Sequence, residues 1–442
     1  MRELSGPAWL AERRLAAFET FTSLPLPNGE EEIWRYSRIA DLHLERFSPT
    51  PPSEPLPGRL PPTAEALLER IGERAALVVT SNGALTSVEP AGPAGGLVAA
   101  GVSDHPDAKD LLGSVAAEFA SAPPRDETPS AGSFDHLATA YARDAVIVSV
   151  APGAVLPAPI VLVHLFAPTG PAAGPQGVAP EVAGPAFFPR TVVHLGENAE
   201  ATVVELLVSQ SGAMLVVPTV ELRVSASARL THASVQQLGQ DTWQIGHLYA
   251  SAARDATFRS FEASLGGAYA RSRVDSALTG PGGTAQLLAA YLGDGDQMHD
   301  FRTLQEHAAP RTTSDLVFKG AVGGRSRSVY SGLIRMRNGA KGANAFQTNR
   351  NLVLSDGAHA DSVPNLDIEE NDVRCSHASS VGPVDPEQRF YLESRGVPRQ
   401  AAERLILLGF FDELLERVPQ PVARHVAAEI SERVGQMTKA ER

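Results

Sequence analysis

The stretch "RTVVHLGENAEATVVELLVS", residues 190–209, decides how the chain is read. Two short runs rich in β-branched residues flank a turn made of Gly196, Glu197, Asn198 and Ala199, and apolar residues in the runs follow a period of two, not 3.6. The unit returns downstream. Aligned on the second small residue of each turn, "NAEATVV", "SARLTHA", "DATFRSF", "GGTAQLL" and "GAKGANA" fall at 199, 228, 256, 283 and 340. The spacings are 29, 28, 27 and 57, and the last is two periods. A repeat of this length with strands of about five residues fits the coils of a β-helix or a long meandering sheet. An antiparallel sandwich also spaces its strands regularly, but hairpin dipeptides separate few of these runs. Asn338-Gly339 and Asp356-Gly357 are the exceptions. A helix of strands is therefore expected from 190 to about 377.

Outward from this core the pattern changes. Toward the N-terminus, "AWLAERRLAAFETFT" (8–22) sets Leu10, Leu15, Phe18 and Phe21 at helical spacing. "EEIWRYSRIADLHLERF" (31–47), with Trp34, Tyr36, Ile39, Leu42 and Leu44, extends the helical lead. The proline-rich 48–62 reads as an extended linker. Asn82-Gly83 between two apolar runs signals a hairpin, and 167–189, rich in Ala, Gly and Pro, reads as a mobile surface loop. Toward the C-terminus three helices are expected. Asp385 and Pro386 form the N-cap and first position of one that Gly396 closes. The second, opened by Pro398, carries the stripe Ala402, Ile406, Phe410, Leu414 and Val418, and the third the stripe Val422, Val426, Ile430 and Val434. Packing of this bundle against the strands is the default. The domain reading is a mixed N-terminal region over 1–150, a β-helix core over 151–380 and a helical domain over 381–442.

A net charge of −13 argues against a general nucleic-acid binder. No run of eighteen apolar residues could cross a bilayer, and the N-terminus lacks the pattern of a secretory signal, so a cytoplasmic protein is expected. One cysteine in 442 residues excludes an internal disulfide. No phosphate loop occurs, since Gly-Lys is never a dipeptide, and neither His-Glu-x-x-His nor a dinucleotide fingerprint is present. Two opposite charge runs adjoin: residues 302–350 carry nine Lys or Arg against Glu306 and Asp315, and 351–373 carry Asp356, Asp361, Asp367, Glu369, Glu370 and Asp372 with no Lys or Arg. The runs either dock a similar module or neutralise each other within one surface. Acids such as Asp356, Asp361 and Asp367, or the pair Asp294 and Asp296, would also suit a β-helical polysaccharide-degrading enzyme.

The single cysteine sits in "NDVRCSHASS" (371–380). In an extended strand Val373, Cys375 and His377 share a face. A thiolate beside an imidazole is a ligand pair for zinc, copper or clustered iron, and a neighbouring imidazolium lowers a thiol's pKa. Two ligands do not close a tetrahedral site, so others must come from elsewhere. The bland reading is a small buried hydrophobe. In "AFQTNRNLVLSD" (345–356), Gln347, Asn349 and Asn351 alternate with larger residues, and stacked amides of this kind more often form a ladder inside a solenoid than a binding site.

The segments "QTNRNLVLSD" (347–356), "PNLDIEENDVRCSH" (364–377) and "VGPVDPEQRFYLESRG" (381–396), with support from "HDFRTLQEHAAPRTTSDLVFKG" (299–320) and the Trp-Arg-Tyr of 34–36, resemble the SufB/SufD family of iron-sulfur cluster assembly scaffolds. Within it the chain is most similar to the SufD type, a SufB-like or homodimeric relative being the alternative. The resemblance implies a right-handed parallel β-helix between helical ends, and a non-enzymatic scaffold subunit of an ATP-driven complex. It also implies pairing with a SufB-type subunit through the terminal strands, docking of a SufC-type ATPase on the C-terminal helices, and a transient iron-sulfur cluster formed at the junction. His377 becomes the candidate iron ligand and Cys375 its companion. Flavin on the complex and a homodimer of the isolated chain both fit the resemblance. Ala378 and Ser379 stand where the family usually has Gly-Ala.

Overall fold

The computed structural model describes residues 4–49, 59–90, 95–121, 130, 132–168 and 184–440. Most of the proline-rich 48–62 and of the 167–189 segment lies outside them. Two large sheets dominate, one of twelve strands and one of ten. From Arg229 onward successive strands alternate between the sheets, and the strands that follow stack in parallel on the strand two places before and two places after, as Thr257–Ser264 does on Arg229–Gln237 and Thr284–Gly293. This is a β-solenoid of about seven turns with helices at both ends.

The repeat sets the corners. Asn198, Ser227, Asp255, Gly282 and Gly339 all have positive φ, and each precedes one of the aligned small residues Ala199, Ala228, Ala256, Gly283 and Ala340, which are buried on the inside of the bend. Left-handed backbone suits Asn, Asp and Gly, and a small buried neighbour lets the chain turn sharply into the next sheet. The double gap contains the missing corner, Arg311 (φ 56) followed by buried Thr312. Arginine gives no turn signal, so this coil is invisible in the sequence. The strands are also longer than expected, most running ten residues, as in Thr284–Gly293 and Met298–His307.

At the N-terminal end the solenoid is covered. The hairpin of Ala76–Ser81 and Ala84–Pro90, turning through Asn82 (φ 51) and Gly83 (φ 79), joins one sheet, and Leu97–Gly101 lies antiparallel to Val146–Val150 in the other. Leu85, Val88, Leu97 and Ala99 lean on the core there. The helix Ala8–Ser23 forms as its pattern predicts. Residues 31–47 do not continue it. They form three single 3₁₀ turns, at Glu32–Trp34, Ile39–Asp41 and Leu44–Arg46, pinned from the solenoid. Arg271 donates to the Ile33 carbonyl at 2.7 Å and stacks 3.8 Å over Trp34, Arg302 donates to the Arg35 carbonyl at 2.6 Å, and buried Asp300 pairs with both guanidiniums. Tertiary hydrogen bonds here replace the helix that the local pattern suggests. The end of the 167–189 segment departs from a surface loop as well, because Gly184–Phe187 is a strand and Phe187 and Phe188 are buried.

After the last strand the chain forms helices at Pro386–Ser394, Arg399–Leu415 and Gln420–Ala440. Asp385 caps the first by accepting from the Glu387 amide, and Gly396 (φ 85) follows its end. The third buries Val422, Val426, Ile430 and Val434 against Val204, Leu206, Val235, Phe261 and Leu288 on the outer face of the ten-stranded sheet. Each such side chain contributes roughly 1.5–3 kcal/mol when fully buried. The second helix buries Ala402, Leu407, Phe411, Leu414 and Leu415, a face rotated from the expected stripe because it meets both the sheet and the third helix. Lys319, buried on the sheet, donates to the Phe410 carbonyl at 2.9 Å and pairs with Glu413, fixing that rotation.

Candidate functional site

The last two strands, His359–Ile368 and Arg374–Gly382, each pair on one side only, with Arg327–Met336 and Asn344–Val353 respectively. Which residues of the final strand face the interior follows from register. In Asn344–Val353, Ala345, Gln347, Asn349 and Asn351 are buried while Phe346 and Arg350 are exposed. Cys375 pairs with Ala345, His377 with Gln347 and Ser379 with Asn349. Residues in register on parallel neighbours point to the same side of a sheet. Cys375, His377 and Ser379 therefore belong to the interior row, and Ser379 Oγ donates to Ser362 Oγ of the opposite sheet at 2.7 Å across it.

No further coil covers this row among the described residues, so the interior opens to solvent. Cys375 is half-buried and His377 exposed. Leu366, Ile368 and Val381, which match interior positions of the coil below, are 38%, 47% and 44% exposed. Val373 and Cys375 pack together against Ile334, Met336, Ala340, Ala343 and Ala345. That apolar bed corrects one expectation: burial pushes the Cys375 thiol up to about 11, and the nearby imidazole does not lower it. Among the described residues no group of three or more His, Cys, Asp or Glu could hold a metal ion, so no third such residue joins Cys375 and His377.

The floor beneath the mouth is polar, which the sequence hinted at only through its alternating amides. Tyr330 OH donates to Gln347 Oε1 at 3.2 Å, Tyr291 OH donates to Asn351 Oδ1 at 2.6 Å, and Asn349 Nδ2 donates to Tyr291 OH at 3.0 Å. Tyr291 fits because Gly320 has no side chain; a Cβ there would lie 1.8 Å from its ring. The amides thus serve as an internal ladder. Two ion pairs join the charged runs, Arg335 with Asp367 and Lys341 with Asp372, while Arg325 pairs with Asp296 and His359 meets Asp361. On the C-terminal helices Phe390, Tyr391 and Leu405 are 70%, 58% and 52% exposed. No helix among the described residues is long and apolar enough to cross a membrane.

The structure is thus a parallel β-solenoid flanked by helices, with Cys375 and His377 on a last coil that no further strand covers among the described residues. Residues 178–410 match the family model described as SUF system FeS cluster assembly, SufBD core domain, and the chain belongs to that family. A SufBD family iron-sulfur cluster assembly protein of Mycobacterium tuberculosis is 38% identical over 240 residues, covering 52% of this chain and 60% of that one. The chain thus spans about three fifths of the length of its mycobacterial relatives. The iron-sulfur cluster assembly protein SufD of Escherichia coli is 28% identical over 411 residues, 92% of this chain and 89% of its own. SufD of Bacillus subtilis is 37% identical over 142 residues, 32% of each chain.

Proposed function

We propose that the chain is a SufD-type scaffold subunit, not itself an enzyme, that helps assemble nascent iron-sulfur clusters at a junction with a SufB-type subunit in the cytoplasm. The observation that carries this is the open last coil. Its unpaired strand edges, its exposed Leu366, Ile368 and Val381, and its inward-facing Cys375 and His377 lie on one surface. An edge of unpaired N–H and C=O groups is a template for another polypeptide. A second solenoid meeting it end to end would bring further ligands to the half-complete pair. The cluster is cargo here, so ligands that an opening junction can release suit it better than a closed four-ligand site. The exposed Phe390, Tyr391 and Leu405 support docking of a SufC-type ATPase on the C-terminal helices. In isolation the same open edge allows two copies to pair.

Co-expression with SufB- and SufC-type proteins tests the reading. His377→Ala is expected to leave the complex intact on gel filtration while iron and acid-labile sulfide in it fall several-fold, and Cys375→Ala to lower them less. Unchanged iron and sulfide in the His377→Ala complex would refute the site.

A further inference from the structure

Directly beneath His377 lies a side chain with an unspent hydrogen-bonding group. Gln347, the in-register neighbour of His377, has no exposed surface, and adjacent strands stand about 4.8 Å apart. Its Oε1 is engaged by Tyr330 OH, whose hydroxyl also meets Thr303 Oγ1 at 3.2 Å. Its Nε2 is buried and has no hydrogen-bond partner. A buried amide N–H left unpaired is costly, so the arrangement calls for an acceptor. The Tyr330–Gln347 contact itself depends on a glycine: a Cβ at Gly332 would lie 2.1 Å from the Tyr330 hydroxyl and 2.8 Å from Gln347 Oε1.

We propose that Gln347 is a positioning residue for the His377 imidazole, holding the ring so that one nitrogen faces the open mouth of the solenoid. This rests on the reading of His377 as an iron ligand. A neutral imidazole has one N–H and one lone pair. With the His377 ring turned inward, the unpartnered Nε2–H of Gln347 can donate to its inner nitrogen, and the outward nitrogen then keeps the proton. Iron needs the outward lone pair, and the proton then sits on the inward nitrogen. The Tyr330 hydroxyl accepts as readily as it donates. A half-turn of the carboxamide therefore preserves the tyrosine contact and presents Oε1 to the inward N–H. Metal-bound histidines commonly rest their second nitrogen on such a partner.

The test uses the full chain labelled with ¹⁵N-histidine, with His377→Ala assigning the ring signals. In the native protein the two ring nitrogens of His377 should report one dominant tautomer. In Gln347→Leu they should move toward the averaged shifts of a solvated ring, and in Gln347→Glu, which only accepts when ionised, toward the opposite tautomer. In complexes with SufB- and SufC-type partners, Gln347→Leu should release iron to a chelator about 10-fold faster, with Gln347→Glu restoring part of the retention. Ring shifts identical in native protein and both Gln347 variants would overturn the positioning role, whatever the iron content. Altered ring shifts together with native iron retention in His377→Ala would instead overturn the ligand reading and leave the Gln347–His377 contact established. The glutamate variant keeps the question decidable should the leucine variant fold poorly.

Discussion

Glu262 makes the stability of the solenoid depend on pH in a direction opposite to most carboxylates. It lies on Thr257–Ser264 and accepts from Ser272 Oγ at 2.8 Å. Burial pushes its carboxyl up to about 7 from 4.5, against the lowering effects of the Ser272 hydrogen bond and of His232. Below 4.5 both the folded and the unfolded chain hold the proton. Between 4.5 and about 7 only the folded chain does, so the stability this group contributes at low pH is lost as pH rises through that window. The slope for one proton is ~1.4 kcal/mol per pH unit, which bounds the loss at ~3 kcal/mol. Solvent reaches part of the side chain, and the expected loss is nearer ~2 kcal/mol. Glu262→Gln stays neutral at every pH. Relative to the native chain it should gain ~2 kcal/mol at about pH 8 and little or nothing at about pH 4.5, read from urea unfolding midpoints at equal slope. A stability difference between the two proteins that is constant across this range would refute the assignment of a raised carboxyl.

Two further substitutions probe how the framework is held. Glu221 is fully buried, accepts from the amides of Gly113, Val115 and Ala116 at 2.8, 3.1 and 3.2 Å, and pairs with Arg190 at 2.8 Å, so one carboxylate caps the helix Ser114–Ser121 from a strand. Glu221→Ala should cost about 3–5 kcal/mol, since it strands a buried guanidinium, and should speed amide exchange across 113–121; native protection there would contradict the capping role. Gly320→Ala would drive a Cβ to 1.8 Å from the fully buried Tyr291 ring and should cost about 1–3 kcal/mol in thermal unfolding; an unchanged midpoint would mean that the ring moves freely.

Much of the fold was legible because coil geometry leaves a local mark. A solenoid corner needs a left-handed residue followed by one small enough to sit inside the bend, and Asn198-Ala199, Ser227-Ala228, Asp255-Ala256, Gly282-Gly283 and Gly339-Ala340 all satisfy it in ordinary turn residues. Arg311-Thr312 satisfies it too, but the turn is held by the register of its neighbours, with the Arg311 amide donating to the Lys341 carbonyl at 2.9 Å. The third C-terminal helix was legible because its stripe at four-residue spacing, Val422, Val426, Ile430 and Val434, is the face it buries. The second was not, because two surfaces share its burial, and the long-range reach of Lys319 to Phe410 and Glu413 has no sequence signature. Trp34 misled for the same reason, its segment being organised by Arg271 and Arg302 more than 230 positions away. At the candidate site the shared face of Cys375 and His377 followed from the period of a strand. The polar floor was harder, because Gln347, Asn349 and Asn351 point inward while Phe346 points out, reversing the usual hydrophobic sense of the alternation.

That reversal follows from how the two ends of the solenoid finish. Where the chain enters, apolar strands can be laid over the core, and the interior rows beneath them are Val78, Val148, Leu162 and Val203. Where it leaves, the helices after Asp385 fold back along the outer face of one sheet instead of across the end, so nothing of this chain among the described residues covers the last coil. An interior continued in Leu and Val up to that mouth would present a broad apolar patch to water. Tyrosines and amides that hydrogen-bond one another end the core without that exposure, because their polar groups are satisfied within the layer, and the unused Nε2 of Gln347 stands in register with His377. The apolar residues kept at the rim are then only Leu366, Ile368 and Val381, the patch that the proposed junction would cover.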